Sequence, residues 1–168
     1  IKQCVPIVSA VESPEALSVI EKTCKEKDAR LYLLGRDIWI LECGMQNADV
    51  SPNPKVRNPK SKIRSPKSER GLLCKIKTWR HTYDNIFLPL IGAHQAKNCA
   101  LALGALEIMR EQGTISIDDE TILKALAQVH CPARVEVIGK NPLIILDYAH
   151  TVDSMRFLRM SLLENFKF

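Results

Sequence analysis

Residues 51–70 read SPNPKVRNPKSKIRSPKSER, with four prolines, a base every few positions and almost no large apolar side chain. Such a stretch cannot supply a core element, because it has too little apolar surface to offset the entropy of ordering it. The folded part must therefore be assembled from the blocks on either side, with 51–70 as a solvated, mobile loop between them. From Ser51 to Arg80 there are ten basic residues and one acid, Glu69, whereas fourteen bases face eighteen acids elsewhere. The formal charge of +5 is thus a property of this region and not of the fold. A basic tract attracts phosphate groups, but this one has no interleaved aromatics on which bases could stack. A charged insertion is the expected reading, and nucleic acid is not an expected partner.

The remaining sequence has enough apolar residues for a core: 46% of the 168 are apolar and 26% charged. No stretch approaches the ~18 uninterrupted apolar residues of a membrane-spanning helix. The chain begins at Ile1, inside the apolar run Val5-Pro6-Ile7-Val8, and reads as a piece of a longer protein, so the lack of a targeting segment is uninformative. Six cysteines are spread evenly (Cys4, Cys24, Cys43, Cys74, Cys99, Cys131), with no C-x-x-C and no paired His. That spacing favours reduced, metal-free thiols and an intracellular setting.

Two kinds of element alternate outside the loop. Val5–Val8 reads as a short buried strand. Ser13 followed by Pro14 and Glu15 is a helix start, with Ala16, Leu17, Ile20 and Cys24 at helical spacing. Leu31–Leu34 and Ile38–Leu41 read as two strands joined by a Gly35-Arg36-Asp37 turn, and Leu72–Thr78 and Ile86–Ile91 as further strands. A long, closely packed helix is expected from Gly92 to Gln112, and a second from Asp118 to about Val129. The strands Arg134–Ile138 and Leu143–Leu146 follow, the latter buried. A last helix then carries Val152, Met155, Leu158 and Leu162 on one face. Alternation of this kind makes the fold class α/β.

Three places could carry chemistry. His94 and Asn98 are four apart in the first turn of the long helix, with Gln95 beside them, either lining the rim of a cleft or serving as local capping. The strand Leu143–Leu146 ends in Asp147, followed by His150 and the plausible N-cap Thr151. Ligands gather at such strand ends in open α/β sheets, where an acid can accept from ribose hydroxyls and a His can donate to phosphate. Equally, Asp147 could merely cap the turn and His150 be a solvated loop residue. Arg134 follows the rigid Cys131-Pro132-Ala133 turn; it is either a phosphate grip or a surface charge. There is no G-x-x-x-x-G-K-[ST], G-x-G-x-x-G or H-E-x-x-H motif.

In this order the motifs resemble those of the Mur ligase superfamily, in its folylpolyglutamate synthase/dihydrofolate synthase branch. That branch reads L-P-L-x-G-x-H-Q-x-x-N-A, then W-P-G-R-x-E, then D-G-A-H-N-P. Here Leu88-Pro89-Leu90-Ile91-Gly92-Ala93-His94-Gln95-Ala96-Lys97-Asn98-Cys99, Pro132-Ala133-Arg134-Val135-Glu136 and Asp147-Tyr148-Ala149-His150-Thr151 stand in those places. The opening Ile1-Lys2-Gln3-Cys4-Val5-Pro6-Ile7-Val8 resembles the branch's I-K-x-G-V-P-V-V strand. The resemblance covers most of residues 1–45 and 86–165. It implies the second part of a P-loop-type central ATPase domain over 1–139, interrupted by 51–70, and the first strand and helix of a Rossmann-like C-terminal domain over 140–168.

The activity implied is ATP-dependent addition of L-glutamate to a folate or dihydropteroate carboxylate through an acyl phosphate. By the same resemblance His94, Gln95 and Asn98 lie near the adenine, Arg134 reaches the phosphates, Asp147 holds the ribose hydroxyls and His150 approaches a phosphate. None of these is a catalytic or metal-binding residue; the phosphate loop, the Mg2+ ligands and the modified lysine are expected upstream of Ile1. A monomer is expected, in the cytoplasm, or in a mitochondrion or plastid if the source is eukaryotic, and the 168 residues alone should not turn over ATP. Ala133 and Cys131 depart from the branch's Gly and Trp. Tyr148 and Thr151 give a form closer to the UDP-muramyl-peptide ligases, the first alternative. The second is a non-catalytic truncated relative whose basic loop binds an anionic partner.

Overall fold

The computed structural model describes residues 1–47 and 70–166; the basic stretch, apart from Arg70, lies outside the described residues. The chain opens with β1 (Ile7–Ser9), α1 (Pro14–Glu26) and β2 (Leu31–Leu33), in which β1 and β2 pair in parallel across the helix. Ser13 starts α1 as the sequence leads one to expect: its Oγ accepts from the Ala16 N–H at 3.3 Å, and Pro14 occupies a position where no N–H is needed. β1 is only partly buried.

The strand expected after β2 and the Gly35-Arg36-Asp37 turn between them are present, but the two strands lie in different sheets. Asp37 Oδ2 accepts from the Leu33 N–H at 2.8 Å and from Arg36 Nε at 3.0 Å, and the chain bends out of the parallel pair. β3 (Trp39–Asn47) instead joins a separate antiparallel meander with β4 (Arg70–Lys77) and β5 (Thr82–Leu88), in the order β3-β4-β5. The basic stretch falls within the β3–β4 connection, and Arg70, counted with it in the sequence, already belongs to β4.

α2 (His94–Glu111) buries a stripe on one side, not all round: Ala96, Cys99, Ala100, Leu103 and Ile108. Several of these form one core with Leu72, Cys74 and Ile76 of β4 and Tyr83, Ile86 and Leu88 of β5. Gly104 sets the approach of α2 to the sheet side: a Cβ there would stand 2.5 Å from Ile38 Cδ1 and 3.1 Å from Val8 Cγ1. The one acid in the stripe, Glu107, is fully buried. It accepts from the Tyr83 hydroxyl at 2.6 Å, and that hydroxyl accepts in turn from Arg110 Nη1 at 3.1 Å. Arg110 also donates to Asp119 Oδ1 at 2.8 Å, tying α2 to the start of α3 (Asp119–Leu126).

β6 (Glu136–Lys140) and β7 (Leu143–Leu146) form an antiparallel hairpin through Asn141 and the cis-linked Pro142, and α4 (Val152–Asn165) ends the described chain. A second, smaller core gathers Ile91, Val135 and Phe166, with Met45, Ile145, Leu158 and Leu162 packed on it. Two expectations are corrected here. β7 is not a buried strand, since Leu143, Ile144 and Leu146 are exposed; a two-stranded sheet with one helix covers only the face on which Ile145 lies. On α4, Leu158 and Leu162 pack inward while Val152 and Met155 stand exposed, so the apolar face is only half covered. Among the described residues no helix is long and apolar enough to cross a membrane.

Candidate functional site

The first turn of α2 begins at a tight corner. Gly92 has φ +106°, a conformation that side-chain-bearing residues rarely adopt. A Cβ on it would meet Ser161 Oγ of α4 at 2.5 Å and the His94 ring at 2.7 Å. The glycine therefore lets α4 seat directly against the start of α2. The capping alternative for this turn does not hold: Ala93 is the N-cap, and among the described residues no side chain caps the turn.

What the side chains do instead is bond to one another. Asn98 Nδ2 donates to the buried Gln95 Oε1 at 3.1 Å, and Gln95 Nε2 lies 3.0 Å from His94 Nε2. If the amide donates, His94 Nε2 is the acceptor, which requires a neutral ring. The His94 pKa lies below the usual histidine range, because burial disfavours the cation; Asp147 pulls it upward and Arg134 pushes it down further. Those two charges come from the other two motifs, so both of those motifs act electrostatically on this one imidazole. The ring also faces Phe157 of α4, centroid to centroid 5.5 Å.

Asp147, at the end of β7, accepts from the Val135 N–H at 2.8 Å through Oδ2 and from the Ala149 N–H at 2.7 Å through Oδ1. The carboxylate thus pins the turn before β6 to the turn after β7. The pinned turn is strained: Ala133 has φ +55° and the buried Val135 φ +51°, both in the left-handed region that costs a residue with a Cβ about 1–2 kcal/mol. Further bonds hold it there. The Ala133 N–H donates to Glu136 Oε2 at 2.8 Å, and the Ala133 carbonyl accepts from the Tyr148 N–H at 2.9 Å. Arg134 is exposed between these two fixed neighbours, and its charge acts on His94.

His150 stands apart from this group. Its ring is exposed, with Nδ1 3.0 Å from the Tyr148 carbonyl oxygen and the two rings edge-on at 5.1 Å. Thr151 is the N-cap of α4, with a reciprocal bond to Ser154. Sequence reasoning missed Ser161 and Phe157. Both lie mid-helix with no local signal, and only the docking of α4 brings them to Gly92 and His94.

No family model matches the chain. Over 166 residues, 99% of its length, it is 28% identical to a dihydrofolate synthase/folylpolyglutamate synthase of Bacillus subtilis, and the match covers 34% of that protein. It is 32% identical to a folylpolyglutamate synthase of Lacticaseibacillus casei over 101 residues, 55% of this chain and 24% of the relative. Among solved structures, the apo form of the L. casei folylpolyglutamate synthase superposes with a TM-score of 0.79 at 22% identity, covering 100% of this chain and 36% of that one. The Mycobacterium tuberculosis folylpolyglutamate synthase complexed with ADP gives 0.76 at 21%, covering 97% and 31%. The chain thus spans about a third of the length of the relatives it matches. Across that third it is similar in sequence to dihydrofolate synthase/folylpolyglutamate synthases, and it shares the fold of the corresponding part of folylpolyglutamate synthase structures.

Proposed function

We propose that this chain is the adenine-side portion of an ATP-dependent C–N ligase that adds L-glutamate to a folate or dihydropteroate carboxylate. The observation that carries the reading is the electrostatic action of Asp147 and Arg134 on His94, in a chain related to such ligases over 99% of its length. In this reading residues up to 139 continue a central ATP-binding domain, and residues from 140 begin the next.

The donor set fits an adenine nucleotide. Asn98, exposed, spends one amide hydrogen on Gln95 and keeps a carbonyl oxygen and a second hydrogen for a purine edge. Gln95 fixes that amide's orientation, and neutral His94 fixes Gln95 in turn. Each Asp147 oxygen uses one lone pair on a backbone N–H and retains another for a ribose hydroxyl. Arg134 offers a planar fork suited to phosphate oxygens. His150 is free to swing from its own turn toward an anion. Bound ATP supplies the phosphoryl group that activates the acceptor carboxylate; these residues orient it, which is most of what phosphoryl transfer needs. Among the described residues no group of three His, Cys, Asp or Glu side chains could hold a metal ion.

The experiment is an NMR titration of the 15N-labelled chain with ADP, with UDP as the control. Shifts that saturate with ADP at Gly92–Asn98, Ala133–Val135 and Asp147–Thr151 are expected, and Asp147→Ala should weaken them. Shifts that avoid these segments, or equal response to UDP, would overturn the assignment.

A further inference from the structure

The strands β3 and β4 place Cys43 directly opposite Cys74, and the two sulfurs lie 3.2 Å apart. Even spacing along the sequence concealed this pair, since the two positions are 31 apart in the chain. Directly opposed residues of an antiparallel pair have Cα atoms about 4.5–5.5 Å apart, within the span that a disulfide bridges, and their side chains share one face. The two thiols differ in access. Cys43 is exposed on the edge strand of the meander, whereas Cys74 is buried on the central strand. Cys99 of α2 is buried behind them, close enough for its ionisation to be opposed by both burial and Cys43.

We propose that Cys43 and Cys74 form a reversible disulfide, a redox modification site in which Cys43 is the entry thiol and Cys74 the resolving one. The co-reactant is a low-molecular-weight disulfide such as oxidised glutathione. Cys43 gives its proton to solvent, and its sulfur attacks one sulfur of the small disulfide, breaking that S–S bond and releasing the first small thiolate. Cys74 then loses its proton to solvent and attacks Cys43 Sγ, expelling the second small thiolate and closing the Cys43–Cys74 bond. Two protein thiols are oxidised and one small disulfide is reduced to two thiols. Only Cys43 can begin, because the other two sulfurs are covered. The second step is the slower one, since burial pushes the Cys74 thiol up and the neighbouring thiols push it further. Cys99 does not compete with Cys74 for Cys43, because it sits on a helix and not at the position directly opposed to Cys43 in the strand ladder.

The product would clamp β3 to β4 at the point where the chain leaves for the basic stretch and returns. It would do so without disturbing α2, and it requires no nucleotide, so the inference stands apart from the ligase reading.

The test is mass spectrometry of the full chain after incubation with oxidised glutathione, alkylation of residual thiols and trypsin digestion without reduction. The expected product is the peptide Asp37–Lys55 linked to Gly71–Lys75, lighter by two hydrogens than the sum of its parts and absent after dithiothreitol. Cys43→Ser, at an exposed site, should abolish it with the circular dichroism spectrum unchanged; Cys99→Ser and Cys131→Ser should leave it. Cys43 recovered only as a glutathione adduct, linkage of Cys43 to Cys99 or Cys131, or alkylation of all six thiols would each overturn the proposal.

Discussion

Ala133 holds a backbone conformation that glycine would hold without penalty, and the resemblance to the folate-branch motif had a glycine there. The strain is observed as φ +55° and is maintained by the two bonds of its own amide and carbonyl. Ala133→Gly should therefore stabilise the chain by roughly 1 kcal/mol, the relief of the left-handed penalty less the extra entropy of an unfolded glycine. Urea unfolding at neutral pH measures it; a midpoint that stays put or falls would show that the turn is not strained. His94 makes a second residue-scale prediction. Its pKa is lowered in the folded chain by burial first, so the unfolded chain binds more protons between the folded value and about 6.5. Stability should fall as pH drops through that window and be insensitive to this group above it. His94→Gln should flatten the part of the urea-midpoint profile below about pH 6.5. Parallel profiles for the two proteins would rule the assignment out.

Whole elements are held by contacts that no single position reveals. α2 lies close to β1 because Gly104 has no side chain, and a valine there would drive its Cβ into the fully buried Ile38. Overpacking of that kind costs about 2 kcal/mol, more than the helix propensity gained by losing a glycine, so Gly104→Val should lower the urea midpoint. An unchanged midpoint would mean that α2 shifts freely. α2 and β5 share the main core and are also joined by a polar link. Tyr83 donates to the buried Glu107, and burial together with that carboxylate pushes the phenol's own pKa up. Tyr83→Phe would leave Glu107 with Thr78 Oγ1 at 3.5 Å and Arg110 at 4.0 Å. The loss of its shortest bond in a buried place should cost about 2 kcal/mol, read in the same denaturation.

These elements also mark how far a sequence can be read. Helix starts were legible because Ser13, Asp118 and Thr151 announce themselves through local bonds, each accepting from an amide three residues on. Strand existence was legible from short apolar runs. Pairing was not: nothing local to Leu31–Leu41 says that Asp37 will turn the chain out of one sheet and into another. The same holds for the site. His94, Arg134 and Asp147 stood out by motif, but Gly92 seating Ser161, and Asp147 pinning Val135, are long-range events. The cysteines make the same point, since evenly spaced thiols read as unpaired while strand register brings two of them together.

At the scale of the whole molecule, two unequal cores are seen among the described residues. The first gathers twelve buried side chains, most of them from α2 and the meander, together with Ile38 and, from α3, Ile122; the second has three, Ile91, Val135 and Phe166, beneath β6, β7 and α4. The smaller one leaves much apolar surface uncovered, including Ile138, Ile144, Met155, Met160 and Leu163. Local opening free energy follows buried apolar contact, so the two regions should not open together. Amide hydrogen exchange should show α2 and β4 as the slowest sites, opening only with global unfolding, and β6, β7 and α4 as a faster cooperative group. The motifs around His94 straddle this divide: Gln95 and Asn98 belong to the rigid side, Arg134 and Asp147 to the side that opens first. A nucleotide gripped by both would have to close that divide to bind. ADP should therefore slow exchange in β6, β7 and α4 by a larger factor than in α2. Equal slowing in both regions, or slowing confined to α2, would mean that the nucleotide does not bridge them.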